Sequence, residues 1–136
     1  MPSLVGSEMC IRDSSSADAL HAARELALHT GAAVLVTGRT DYSTDGRQVT
    51  ATENGHAMMS RVTGVGCSMG ALSAACAAVS PTPLQAAVST AVLMGIAGEM
   101  AFEQSPFPGS FAVSLLDSLY ALSPEDVVRR ARFLSL

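Results

Sequence analysis

Between Arg61 and Glu99 the chain carries no Asp, Glu, Lys or Arg. An uncharged stretch of that length is costly on a wet surface, and it has two physical outlets: a bilayer or a protein interior. Pro81 and Pro83 divide it into apolar pieces shorter than the roughly 20 residues a spanning helix requires. Both pieces are rich in Ala, Ser and Gly rather than Leu and Ile. The sequence therefore predicts two helices buried inside a protein. A content of 49% hydrophobic and 15% charged residues agrees with a packed globule, and 136 residues suffice for one domain.

The flanking segments set the fold class. Ser14, Ser15 and Ser16 offer N-caps for a helix over Ala17 to Thr30, with an apolar stripe of Leu20, Ala23, Ala27 and Leu28, and Gly31 closing it. Ala32 to Val36 is an apolar run too short for a helix. It reads as a strand buried on both faces, the kind found in a parallel sheet. Helix, short loop and buried strand form the repeat unit of α/β proteins. Asp45-Gly46 marks a hairpin between a strand starting at Asp41 and a return strand over Gln48 to Thr52. Glu53-Asn54-Gly55 forms another turn, and Met58 to Val62 reads as a short strand or extended segment. Helices are expected from Thr63 to Val79, from Pro83 to Gln104, from Ser110 to Ala121, and after the serine cap and proline of Ser123-Pro124. The expected class is α/β, a remnant of parallel sheet plus a hairpin with helices packed on it. Residues 1–14 show no helical or strand period and resemble translated adapter sequence. They are expected to be a non-native or disordered segment, with the domain in residues 15–136 and the native chain extending further N-terminally.

Composition excludes several function classes. Eight Lys+Arg scattered along a chain of formal charge -4 make no basic patch, so no nucleic-acid partner is expected. Cys10, Cys67 and Cys76 are odd in number and lack CxxC spacing, which fits a reducing cytoplasm rather than a disulfide framework or a zinc site. The N-terminus shows no basic stretch followed by an apolar core, so no signal peptide is expected.

The segment best suited to chemistry is Thr63-Gly64-Val65-Gly66-Cys67. Two glycines directly before a helix let the backbone approach a ligand, and the unpaired amides of the helix start then point at it. Such a place suits an anion, above all phosphate. The helix dipole adds about 0.3–1 kcal/mol for a charge held there. The pattern lacks the Lys-Ser/Thr ending of a Walker loop and the third glycine of a dinucleotide fingerprint, and a plain tight turn looks the same. Cys67 stands in the first helical turn beside those amides; a lone cysteine by an apolar helix also serves as packing. Thr37-Gly38 leaves a buried strand at the end where α/β sheets hold their ligands, although a threonine also simply caps a strand end. His56 reads as a loop residue, His21 and His29 have no metal-binding partner at useful spacing, and Met58, Met59, Met69, Met94 and Met100 read as core. Glu99 marks a helix emerging into solvent, and Asp117 and Arg129-Arg130 read as solvated faces.

Taken in order, Val36-Thr37-Gly38, Asp41-Tyr42, Thr44-Asp45-Gly46, Asn54-Gly55-His56, Met59, Val62-Thr63-Gly64-x-Gly66-Cys67, Gly95 to Glu99, Pro108 to Phe111 and Leu116-Asp117-x-Leu119-Tyr120 resemble the C-terminal half of hydroxyethylthiazole kinases. The resemblance covers about residues 17–134. It implies a partial ribokinase-like α/β fold and transfer of the ATP γ-phosphoryl group to the hydroxyl of 4-methyl-5-(2-hydroxyethyl)thiazole in thiamine synthesis or salvage. Cys67 takes the place where most ribokinase-like enzymes carry an aspartate base. Thr37 matches an ATP-contacting threonine, Gly64 a glycine that contacts the thiazole alcohol, and Gly66 a part of the anion hole around ATP. The resemblance implies a cytoplasmic homotrimer that uses Mg2+. The family's N-terminal half supplies a substrate-binding methionine, an ATP-contacting arginine and the acids near magnesium, so the resemblance implies that this chain alone is incomplete and inactive. Three other readings fit parts of the pattern: a ribokinase-like kinase for a hydroxymethylpyrimidine or a sugar, a cysteine-nucleophile enzyme with His56 as base, and a non-enzymatic assembly module built on the neutral helices.

Overall fold

A computed structural model describes residues 16–136 of the chain. Cys10 and the expectations for residues 1–14, like the caps Ser14 and Ser15, lie outside the described residues. The described part opens with helix α1 (Ser16–Thr30), strands β1 (Val34–Val36), β2 (Asp41–Thr44) and β3 (Val49–Thr52), and a 3-10 turn (Ala57–Arg61). Helices α2 (Val65–Val79), α3 (Pro83–Gln104), α4 (Pro108–Ala121) and α5 (Pro124–Arg130) follow, and strand β4 (Phe133–Ser135) ends the order.

The class is mixed α/β with helices packed on a sheet, as the sequence suggests. The pairing differs from the expected parallel remnant. The four strands lie in the order β1-β2-β3-β4, and every ladder among the described residues is antiparallel. The reason lies in the connections. Residues 37–40 join β1 to β2, whereas a parallel crossover needs a dozen residues or more. β1 is also half-buried over Val34 and Leu35 rather than buried on both faces, with Val36 alone fully inside. The hairpin at Asp45-Gly46 forms as expected. Asp45 Oδ1 accepts from the amides of Arg47 (2.9 Å) and Gln48 (2.7 Å), which fixes the turn and pairs Thr44 with Val49.

Helix α1 buries Ala19, Ala23 and Ala27, a stripe at i, i+4 and i+8 whose Ala19 and Ala23 pack on Val36. Leu28, expected in that stripe, is 56% exposed and lies over the turn at Gly46. The segment expected as a short strand at Met58 to Val62 is the 3-10 turn. His56 caps it, its Nδ1 accepting from the Met58 amide at 3.1 Å, and that local bond competes successfully with extension.

Helix α3 is the axle of the molecule. It packs against α2, α4, α5 and strands β1 to β3. Met94, Ala97 and Ala101 meet Phe111 and Leu115 of α4 to make the main core. It begins at Pro83 under the Thr82 cap, whose side chain accepts from the Gln85 amide at 3.2 Å. With 22 residues it is also the one described helix long and apolar enough to cross a bilayer, because it continues beyond the uncharged stretch past Glu99 and Glu103. Most of that window is buried inside the protein. Helix α2 departs from the expectation of two buried helices. Only Cys76 of α2 is buried, since α3 covers one side of it and no described element covers the other.

The C-terminal strand β4 lies beyond the elements expected from sequence. β4 pairs with β3 through Thr52 and Phe133, Ala51 and Leu134, and Thr50 and Ser135. Its three residues are too few to show an alternation. What places it is the capping-box helix α5 just before, which returns the chain to Asn54, where the Arg132 amide donates to Asn54 Oδ1 at 2.7 Å.

Candidate functional site

The loops after β1 and β3 and the start of α2 face one another across a cleft of about 870 Å³. Thr37, Gly38, Arg39 and Asp41 form one wall at the end of β1. Asn54, Gly55, His56, Met59 and Ser60 form a second, and Val62, Gly64, Val65, Gly66 and Met69 a third. Three of the four residues singled out from sequence, Thr37, Gly64 and Gly66, thus border one space. Cys67 is exposed in the adjoining helical turn and is not among the residues lining the cleft.

Each wall has a local cause. Gly64 is the N-cap of α2 with φ of 94°, a left-handed conformation that disfavours any side chain. That geometry turns the chain sharply from Val62 into the helix. The first helical bond runs from the Ser68 amide to Gly64 O at 3.0 Å, so the amides of Val65, Gly66 and Cys67 precede it and are open to a ligand. A Cβ on Gly66 would meet nothing within 4 Å, so a ligand can approach the backbone there.

On the opposite wall Asp41 is 8% exposed, and its Oδ1 accepts from the Gly38 amide at 2.9 Å. That bond ties the Thr37-Gly38 corner to the head of β2. Burial raises the Asp41 carboxyl from 3.8 to about 6, an effect the Gly38 bond only partly offsets. Asp41 is the one carboxylate among the residues lining the cleft.

The second wall depends on Glu99, which the sequence placed in solvent. Its side chain is 15% exposed. Glu99 Oε1 accepts from the Gly55 amide (2.9 Å), Asn54 Nδ2 (3.1 Å) and the Arg132 guanidinium (2.5 Å). Asn54 Nδ2 also donates to Arg130 O at 2.9 Å. One carboxylate on α3 therefore holds the 53–55 loop and the C-terminal tail together. Gly95, one turn earlier on α3, lets that loop lie against the helix backbone: a Cβ there would stand 2.5 Å from Asn54 Cβ. The roles of Glu99 and Gly95 could not be read from periodicity. The glycines of the apolar helix and the match of Gly95 to Glu99 to the family pattern are the signals that mark this stretch.

Among the described residues no group of three or more His, Cys, Asp or Glu is gathered to hold a metal ion.

Residues 2–125 match the family model described as "Hydroxyethylthiazole kinase family". The chain belongs to this hydroxyethylthiazole kinase family. It is 99% identical over 123 residues to the hydroxyethylthiazole kinase of Akkermansia muciniphila, covering 90% of this chain and 45% of that protein. The Granulibacter bethesdensis hydroxyethylthiazole kinase is 54% identical over 108 residues, covering 79% of this chain and 39% of that protein. The solved structure of the hydroxyethylthiazole kinase from Pyrococcus horikoshii OT3 superposes with a TM-score of 0.85 at 38% identity, over 98% of this chain and 50% of that one. The chain spans about half the length of the hydroxyethylthiazole kinases it matches.

Proposed function

We propose that this segment is the phosphate- and acceptor-facing half of an ATP-dependent kinase that phosphorylates the hydroxyl of 4-methyl-5-(2-hydroxyethyl)thiazole. The observation that carries the reading is the convergence of Thr37, Gly64 and Gly66 on one cleft, with three open amides at the start of α2. Family membership supports it.

In this reading Thr37 and the Gly66 amide bind ATP. The acceptor hydroxyl sits at Gly64, and its oxygen attacks the γ-phosphorus as the bond to the β-phosphate oxygen breaks and ADP leaves. The amides of α2 stabilise negative charge on the transferred oxygens, the main service that phosphoryl transfer asks of a protein. Cys67, exposed beside Gly66, orients the acceptor hydroxyl and accepts its proton. Magnesium, when bound, neutralises phosphate charge, and its ligands come from the half of the protein that this chain does not span. That division also leads us to propose that the 136-residue chain alone is inactive, and that the complete enzyme is a cytoplasmic homotrimer.

The test is ADP formation by a full-length protein carrying this segment, with ATP, magnesium and the thiazole alcohol. Acceptor-dependent ADP release supports the reading. Activity only with a hydroxymethylpyrimidine or a sugar would replace the substrate, and vigorous phosphorylation by the isolated 136-mer would overturn the proposed division of labour.

A further inference from the structure

The cleft holds a polar ring that the proposed phosphoryl-transfer chemistry leaves without a task. His56 lies at the end of the 53–55 loop, and its imidazole stacks on Phe102 of α3 with ring centroids 3.6 Å apart and an interplanar angle of 18°. Its Nδ1 accepts from the Met58 amide at 3.1 Å. A nitrogen that accepts carries a lone pair, so the proton of the neutral ring is on Nε2, which is a hydrogen-bond donor. The stack fixes the plane of the ring and the Met58 bond fixes its rotation, so the donor is held in one orientation and little freedom is lost on binding.

The lining of the cleft indicates what that donor meets. The polar wall of the cleft is at Thr37, Arg39 and Asp41, and the open amides are at the start of α2. Met59, Val62, Val65 and Met69 supply the apolar part of the same lining. Apolar side chains beside a directed donor suit a small neutral heterocycle with one hydrogen-bond acceptor.

We infer that His56 is a specificity-determining residue, its Nε2–H donating to the ring nitrogen of the heteroaromatic acceptor alcohol bound against Met59 and Met69. This rests on the kinase reading above and names the residue that tells the acceptor's ring from its isosteres.

The experiment uses a full-length protein carrying this segment and two substitutions that separate the two nitrogens. His56→Asn keeps a short side-chain acceptor for the Met58 amide, asparagine being a favoured N-cap, and removes the distal donor. His56→Gln restores an N–H near the position of Nε2 and gives up the cap. The expected result for His56→Asn is a rise in acceptor KM on the order of tenfold, the scale of one lost hydrogen bond, with the KM for ATP unchanged. His56→Gln should recover much of the acceptor affinity while melting at a lower temperature. A second measurement needs no variant: the thiophene analogue of the acceptor, with CH in place of the ring nitrogen, should be a poorer substrate of the wild-type enzyme by a similar factor. Wild-type kinetics in His56→Asn, an equal rise in both KM values, or equal use of thiophene and thiazole alcohols would each overturn the assignment. Failure of the kinase reading itself would show separately, as a wild-type enzyme that releases no ADP in response to the thiazole alcohol.

Discussion

Replacing Gly95 with alanine tests how the cleft is held open. A Cβ at this position would lie 2.5 Å from Asn54 Cβ, 2.7 Å from its carbonyl carbon and 2.8 Å from its oxygen. Two of those three atoms are backbone, so no rotamer change relieves the contact, and the 53–55 loop must move off α3. Overpacking of this kind costs typically about 1–3 kcal/mol, and a backbone neighbour puts it toward the upper end. Alanine in a helix interior returns about 1 kcal/mol over glycine. The net expectation for Gly95→Ala is destabilisation of about 1–2 kcal/mol. Gly98→Ala is the control, because there the crowding falls on the side chain of Met59, which can rotate away. The helix gain then leaves Gly98→Ala near neutral. Urea unfolding of the two variants in a full-length protein reads the difference as a lower midpoint for Gly95→Ala at unchanged slope. Because Asn54 and Gly55 line the cleft, the same variant should also bind the acceptor more weakly. The reasoning is refuted if Gly95→Ala is as stable as the wild type, or if Gly98→Ala is the more damaged of the two.

Other perturbations follow from the same contacts. Cys67→Ala in the full-length enzyme should lower kcat by about a hundredfold or more, the scale of a lost general base, while leaving nucleotide affinity near normal; equal losses in both count against the proposed role. Glu99→Ala strands donors of Asn54, Gly55 and Arg132 and should cost about 2–3 kcal/mol in chemical denaturation, with Glu99→Gln losing less. Asp41 sets a pH dependence. Its carboxyl rises from 3.8 to about 6 on folding, so its contribution is fully present below pH 3.8 and is lost as pH rises through 6. Asp41→Asn should remove that part of the slope, up to about 3 kcal/mol for a shift of this size, and identical stability-pH slopes in variant and wild type would contradict it. Phe111→Ala should cost about 3–5 kcal/mol, since this ring is fully buried at the α3–α4 junction; a small change in melting temperature would show that the core collapses around it.

Local signals sufficed for whatever depends on neighbours in the chain. Asp45-Gly46 set the hairpin, Thr82-Pro83 and Ser123-Pro124 set two helix starts, and the Gly64-x-Gly66 pair marked where a backbone turns into a helix with its amides free. The order of those signals was enough to indicate the family and to bring Thr37, Gly64 and Gly66 into one hypothesis. Direction of pairing was not legible, because the apolar run ending in Val36 looks the same in a parallel and an antiparallel sheet, and the short connection decides between them. Contacts far apart in the chain were not legible either. Glu99 reads as the first solvated residue after an uncharged stretch, yet it bonds residues 44 and 45 positions earlier and an arginine 33 positions later. Burial of a charge is a property of what surrounds it in space. Here that is a loop, a helix and a tail whose meeting point only the folded chain creates.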